Sequence, residues 1–152
     1  IMLCSFADER FASIALEQAE KSTMNVKHGC VAVCNGKIMA KGYNTDRTYS
    51  KDRLIHGYCS CHAEIDVLRK CKKFNLNLNK TIIYVVRKGA NGTFSMSAPC
   101  IDCSNMLKKN NIKYLVFSDE KGELSKCKMR NYDICHMTGG RRAIDSKRII
   151  IY

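Results

Sequence analysis

With 152 residues, 45% of them hydrophobic, the chain has the size of one ordinary domain and enough apolar surface for a core. No apolar run approaches the ~20 residues of a membrane span, and the opening Ile1-Met2-Leu3-Cys4 lacks the regions of a secretion signal, so an intracellular, cytoplasmic setting is expected. The net charge of +12 points to phosphate-bearing partners, nucleotides or nucleic acid, although a compositional bias towards Lys, Asn and Ile would also scatter lysines without purpose.

A first helix is predicted from Phe6 to Lys21, capped by Ser5 with Asp8 answering from the third helical position. Phe11, Ile14, Ala15 and Ala19 fall on one face at helical spacing and read as packing against a sheet. Cys30–Cys34 and Lys37–Lys41 are two short strands joined by Asn35-Gly36, both of which accept the positive φ of a tight hairpin. After Gly42-Tyr43-Asn44 comes a polar loop that runs through Gly57. A second helix is expected over Cys61–Phe74, capped by Ser60, with Ile65, Val67, Leu68 and Cys71 on its apolar side. Thr81–Arg87 reads as a buried strand and Lys88–Ala98 as a loop. Pro99 suits the start of a helix over Cys100–Asn110, and Lys113–Ser118 is another strand. Strands alternating with helices predict a mainly parallel sheet after the opening hairpin. Asp119-Glu120-Lys121-Gly122 is too short for a parallel crossover, so Leu124–Met129 should run antiparallel to the strand before it. Beyond Arg130 the pattern fades to a Gly-rich turn with Arg141 and Arg142 and a short apolar Arg148–Tyr152. No linker or repeat divides the chain, and residues 1–152 are expected to form a single domain.

The chemistry concentrates between Ser60 and Ser104. His62 is followed two positions later by Glu64, and 38 positions after the histidine come Pro99-Cys100-Ile101-Asp102-Cys103. One imidazole and two thiols make three corners of a tetrahedral zinc site. Three protein ligands leave the fourth corner for water, the mark of a catalytic rather than a structural centre. A lone C-x-x-C is shared with redox pairs and zinc knuckles; H-x-E followed by P-C-x-x-C in this order is far more specific. The ten cysteines, without an export signal, read as reduced; beyond the two metal ligands most should be small buried residues.

On His62, Glu64, Pro99, Cys100 and Cys103, the chain resembles the cytidine and deoxycytidylate deaminase superfamily over roughly Phe6–Met129. The resemblance implies a three-layer α/β/α fold with a five-stranded mixed sheet, and Zn2+ held by His62, Cys100 and Cys103. It implies hydrolysis of cytosine to uracil in a free nucleoside or nucleotide by zinc-activated water, with Glu64 shuttling protons. By the same resemblance Asn44 would hold a sugar hydroxyl, and the Ala63 amide and Ala98 carbonyl would position the base. A homo-oligomer is also implied.

The resemblance associates this hairpin ending with the free-nucleoside branch, whereas the deoxycytidylate, tRNA-adenosine and polynucleotide branches place a helix there. Free-nucleoside enzymes, however, usually carry cysteine where this chain has His62, so the substrate branch stays open. The alternatives are a polynucleotide-editing deaminase, favoured by the charge, and a non-catalytic zinc scaffold, disfavoured by an intact Glu64. Ribose against deoxyribose, nucleoside against monophosphate and cytosine against purine stay open, as does the oligomeric state. Weaker candidates are a second zinc site at His56, Cys59 and Cys61, phosphate contacts from Arg47, Lys51 and Arg53, and base stacking by Tyr49, Tyr58 or Phe94. Cys127, Cys135 and His136 match no metal spacing.

Overall fold

The computed structural model describes residues 2–47, 50–55, 62–75 and 77–133. Among these, three helices and six strands form a three-layer α/β/α arrangement. The helices are α1 (Phe6–Ala19), α2 (Ala63–Lys73) and α3 (Ile101–Lys109). The strands are β1 (His28–Cys34), β2 (Lys37–Tyr43), β3 (Thr81–Lys88), β4 (Phe94–Ser95), β5 (Tyr114–Ser118) and β6 (Leu124–Lys128). The sheet order is β2-β1-β3-β5-β6, with β4 paired to β3.

Local chemistry accounts for the element boundaries. Ser5 Oγ accepts from the Asp8 amide at 3.1 Å and Asp8 Oδ2 accepts from the Ser5 amide at 2.8 Å, the predicted reciprocal cap of α1. Asp8 is also tied across the sheet, accepting from the Tyr84 hydroxyl at 2.6 Å and from Lys126 Nζ at 3.1 Å. Asn35 and Gly36 adopt φ of 51° and 76°, the left-handed pair that a two-residue hairpin needs. At the last hairpin, Asp119 Oδ1 accepts from the amides of Lys121 and Glu123, each at 2.9 Å. The β5–β6 pairing is antiparallel, as expected from a turn too short to cross the sheet.

Three expectations need correction. The sheet is mixed, as the resemblance implied, but has six strands where five were expected; β1 lies antiparallel between β2 and β3, and after the opening hairpin only β3 and β5 pair in parallel, less than the helix–strand alternation suggested. A hairpin preceding a crossover places its first strand in the middle, so the α2 crossover carries the chain past β1 to form β3. Helix α2 starts later than predicted: His62 is its N-cap, and Ser60 lies outside the described residues. Pro99 precedes the N-cap Cys100 of α3 instead of opening the helix. The predicted loop before Pro99 also contains β4, whose two residues are too short to show any periodicity.

The two faces of the sheet carry separate cores. Val31, Val33, Tyr84, Val86 and Val116 pack with Phe11, Ala12 and Ala15 of α1. Cys30, Ala32, Ile83, Val85 and Leu115 pack with Ala63, Val67 and Cys71 of α2 and Leu107 of α3. This is the period-2 alternation of strands read onto two helical layers. Two glycines set how closely the layers approach. A Cβ on Gly29 would lie 1.8 Å from the Ala15 carbonyl oxygen, and one on Gly42 would lie 2.4 Å from Asp66 Oδ2. Gly29→Ala therefore drives a methyl into helix backbone. It is expected to cost about 3 kcal/mol, the top of the overpacking range, read as a fall in the denaturation midpoint.

Of the five described cysteines away from the C-x-x-C motif, Cys30 and Cys71 are buried while Cys4, Cys34 and Cys127 are half-buried, so burial is less general than expected. All seven described cysteines are free thiols. No described helix is long and apolar enough to cross a membrane.

Candidate metal centre

Strands β2 and β3 point the same way, so α2 and α3, which follow them, both begin at one end of the sheet. That convergence brings together side chains 38 positions apart. His62 Nδ1 lies 3.0 Å from Cys103 Sγ and 3.6 Å from Cys100 Sγ, and all three ligand atoms lie within 4.8 Å of one another. Ordinary zinc bond lengths in a tetrahedron put nitrogen and sulfur about 3.6 Å apart. The Cys100 separation meets that distance, and the Cys103 separation is tighter. The donor set thus fits zinc: two sulfurs and Nδ1, three of the four donors of a tetrahedron.

The sulfurs lie under an apolar cover. Ile55, Ile65, Cys100 and Cys103 form one buried cluster, with Leu54 and Met106 packed against it. The loop supplying Ile55 is pinned to α2, because Asp52 accepts from Arg69 Nε at 2.8 Å and from the Leu54 amide at 3.1 Å. The other approach to Cys100 is equally fixed. Ser97 and Ser118 are buried and hydrogen-bonded to each other, and Ser97 Oγ donates to the Val85 carbonyl at 2.8 Å. The buried Tyr132 hydroxyl donates to the Pro99 carbonyl at 2.8 Å. Ile55, Ser97, Ser118 and Tyr132 were not among the sequence candidates. Their types are common and nothing local distinguishes them.

Charge is distributed unequally among the ligands. A hydrogen bond from Cys103 pulls the Cys100 thiol down to about 4 despite burial, with His62 adding to the effect. Cys103 is held well up, first by its bond to that thiolate and then by burial. Burial pulls His62 down, but the Cys100 thiolate and the Glu64 carboxylate outweigh it and the net direction is up. Cys100 also caps α3, where the positive end of the helix dipole favours thiolate. Near neutral pH the cluster thus carries protons that a metal must displace. Zinc uptake at pH 7 is expected to release one to about two protons per chain, measured with an indicator dye in weak buffer, and zinc affinity should fall as pH falls. Uptake without proton release would contradict this account.

Glu64 is the second residue of α2 and is 4% exposed. Burial pushes its carboxyl up, while the His62 charge opposes the shift. The Ala63 amide is a first-turn donor with no carbonyl of its own helix to bond. Ala98 is half-buried immediately before Pro99.

Asn44 is buried at the same end of the sheet. Its Oδ1 accepts from the His28 amide at 2.9 Å and its Nδ2 donates to the Val26 carbonyl at 2.6 Å. Each end of the carboxamide thereby keeps one further hydrogen-bonding position. Arg47, Lys51 and Arg53 are exposed. Phe94 packs against the α1-side core, on the other face of the sheet. His56, Cys59, Cys61, Tyr49, Tyr58, Cys135, His136, Arg141, Arg142 and the segment 148–152 lie outside the described residues.

Residues 6–119 match the model of the cytidine and deoxycytidylate deaminase zinc-binding region. The chain belongs to that family. Its cofactor is zinc, and the family's chemistry is hydrolytic deamination. Among solved structures, this deaminase-family chain is similar to the cytidine deaminase of Burkholderia pseudomallei at 19% identity and a TM-score of 0.61, covering 80% of this chain and 91% of that one. It is similar to the dCMP deaminase of cyanophage S-TIM5, solved with dCMP and dUMP, at 20% identity and a TM-score of 0.58, covering 78% and 85%. A tRNA:A34 deaminase aligns at 22% identity and a TM-score of 0.51, covering 74% and 76%. No curated protein sequence matches the chain. At these identities the structures speak for the fold, while the family model carries the membership.

Proposed function

We propose that this chain deaminates cytosine in a free nucleoside or nucleotide, with His62, Cys100 and Cys103 as zinc ligands and Glu64 as the proton carrier. The observation that carries the reading is the meeting of His62 Nδ1 with both thiols beside a buried Glu64. When bound, zinc would lower the pKa of a water from 15.7 towards about 7, giving a nucleophile at neutral pH. Glu64 takes the proton that this water loses and delivers it to the cytosine ring nitrogen. It then hands a proton to the departing amine, so that water and cytosine become uracil and ammonia. A carboxyl raised by burial is suited to both halves of that task. The Ala63 amide donates to the base carbonyl and the Ala98 carbonyl accepts from the ring amine. Asn44 offers its remaining donor and acceptor to the sugar.

The antiparallel β5–β6 ending speaks against a polynucleotide substrate, since the sequence resemblance associates a helix at this point with the deoxycytidylate, tRNA-adenosine and polynucleotide branches. A polynucleotide substrate is the second reading, favoured by the net charge of +12. Ammonia release from cytidine, deoxycytidine and their monophosphates, set against conversion in single-stranded oligonucleotides, separates the two. Turnover confined to oligonucleotides would overturn the proposal.

A further inference from the structure

We infer that Arg87 and His28 form a phosphate subsite in the pocket, so that the substrate is a nucleoside monophosphate. This rests on the reading above, that a cytosine nucleoside or nucleotide is deaminated at the metal centre. It follows from strand register. His28 opens β1 and lies directly opposite Arg87 near the end of β3. Residues facing each other across an antiparallel pair project from the same face. Along β1 that face is shared by Cys30 and Ala32, and along β3 by Ile83 and Val85, all in the core beneath α2 and α3. The intervening Gly29 meets α1 on the other side. His28 and Arg87 are therefore on the metal-centre face, and they stand at the end of the sheet where α2 and α3 begin.

Three observations place the pair beside the reacting groups. Cys30, whose thiol is pushed up by burial and then by the Glu64 carboxylate, lies only two positions, roughly 7 Å, farther along the strand. The backbone of His28 is hydrogen-bonded on both sides of its peptide to Asn44, through the Asn44 side chain at 2.9 Å and the Asn44 amide at 3.2 Å. His28 lies close enough to His62 and Arg87 that their charges join burial in pulling its ring down to about 4.

Both side chains are unused by the fold. Arg87 is half-buried and, among the described residues, forms no ion pair or side-chain hydrogen bond. His28 forms none through its ring, yet no buried side-chain nitrogen or oxygen lacks a partner among the described residues. The ring nitrogens are therefore not fully sealed from solvent. A half-buried guanidinium without an anion is unfavourable, and phosphate is the planar fork's natural complement. The imidazole supplies a further donor next to it.

The test uses the full zinc-loaded chain carrying Glu64→Gln, so that ligands bind without turnover. Calorimetry with dCMP and deoxycytidine should show dCMP binding about 10- to 100-fold more tightly, the value of a charge-assisted pair. Adding Arg87→Gln should close that gap and leave deoxycytidine affinity and the melting temperature unchanged. Arg87→Lys, which keeps charge but loses the fork, should restore part of it. Equal affinities, an unchanged gap in Arg87→Gln, or tighter binding of a short single-stranded oligonucleotide than of dCMP would each overturn the subsite. Wild-type turnover read alongside separates the two proposals. Turnover without an affinity gap removes the subsite alone, and a gap without turnover removes the deaminase reading alone.

Discussion

Glu64→Gln is expected to keep its zinc and lose its turnover. The substitution preserves the size of a side chain that is almost fully buried at the start of α2, so neither the helix nor the ligand cluster has reason to move. On the proposed mechanism it removes the group that carries protons between water, ring and leaving amine. A positioned acid–base group contributes about 10²–10⁴-fold, and because Glu64 serves both transfers the upper end is expected for kcat. Ammonia release measures the loss, and metal analysis of the same sample should still give one zinc per chain. A purely structural glutamate would show the reverse pattern, with a lower melting temperature and kcat within about tenfold of the parent. That result would falsify the assigned role.

Cys103→Ala should abolish zinc binding and activity together. Among the described residues the candidate site has no spare donor, and two remaining ligands cannot define a tetrahedral centre. Loss of mere supporting partners already weakens metal sites by 10- to 100-fold, so removal of a direct ligand should exceed roughly 100-fold. The deleted thiol also belongs to the buried cluster under Ile55 and Ile65, so some stability will be lost without any metal. A chelator distinguishes the two causes. Zinc that binds only the folded chain stabilises it by mass action, so stripping the metal should lower the melting temperature of the parent and leave the variant unmoved. A variant that still responds to chelator would show that Cys103 is not a ligand.

The centre was legible because its chemistry restricts which residues can serve. Imidazole followed two places later by a carboxylate, then Pro-Cys-x-x-Cys, is a combination that few other needs produce. The Asn35-Gly36 hairpin was legible for a similar reason, since only a few residue types accept its backbone angles. Other features had no such local signature. Strand β4 is two residues long, and Tyr132 gives no sign in the sequence that its hydroxyl will hold the Pro99 carbonyl. Asn44 stood out beside Gly42, but the glycine's own role, admitting Asp66 of α2 close to β2, required both elements in place.

What the sequence by itself determined was the candidate donor set, the carboxylate two positions after its histidine and the antiparallel return of the last described strand. Each depends on residues close together in the chain or on a loop too short to reach elsewhere. The tertiary structure alone decided the order of the strands, the apolar cover over the sulfurs and the pairing of His28 with Arg87. Those depend on how segments apart in the chain come together, His28 and Arg87 across 59 positions, and no local preference of either segment encodes which partner it will meet.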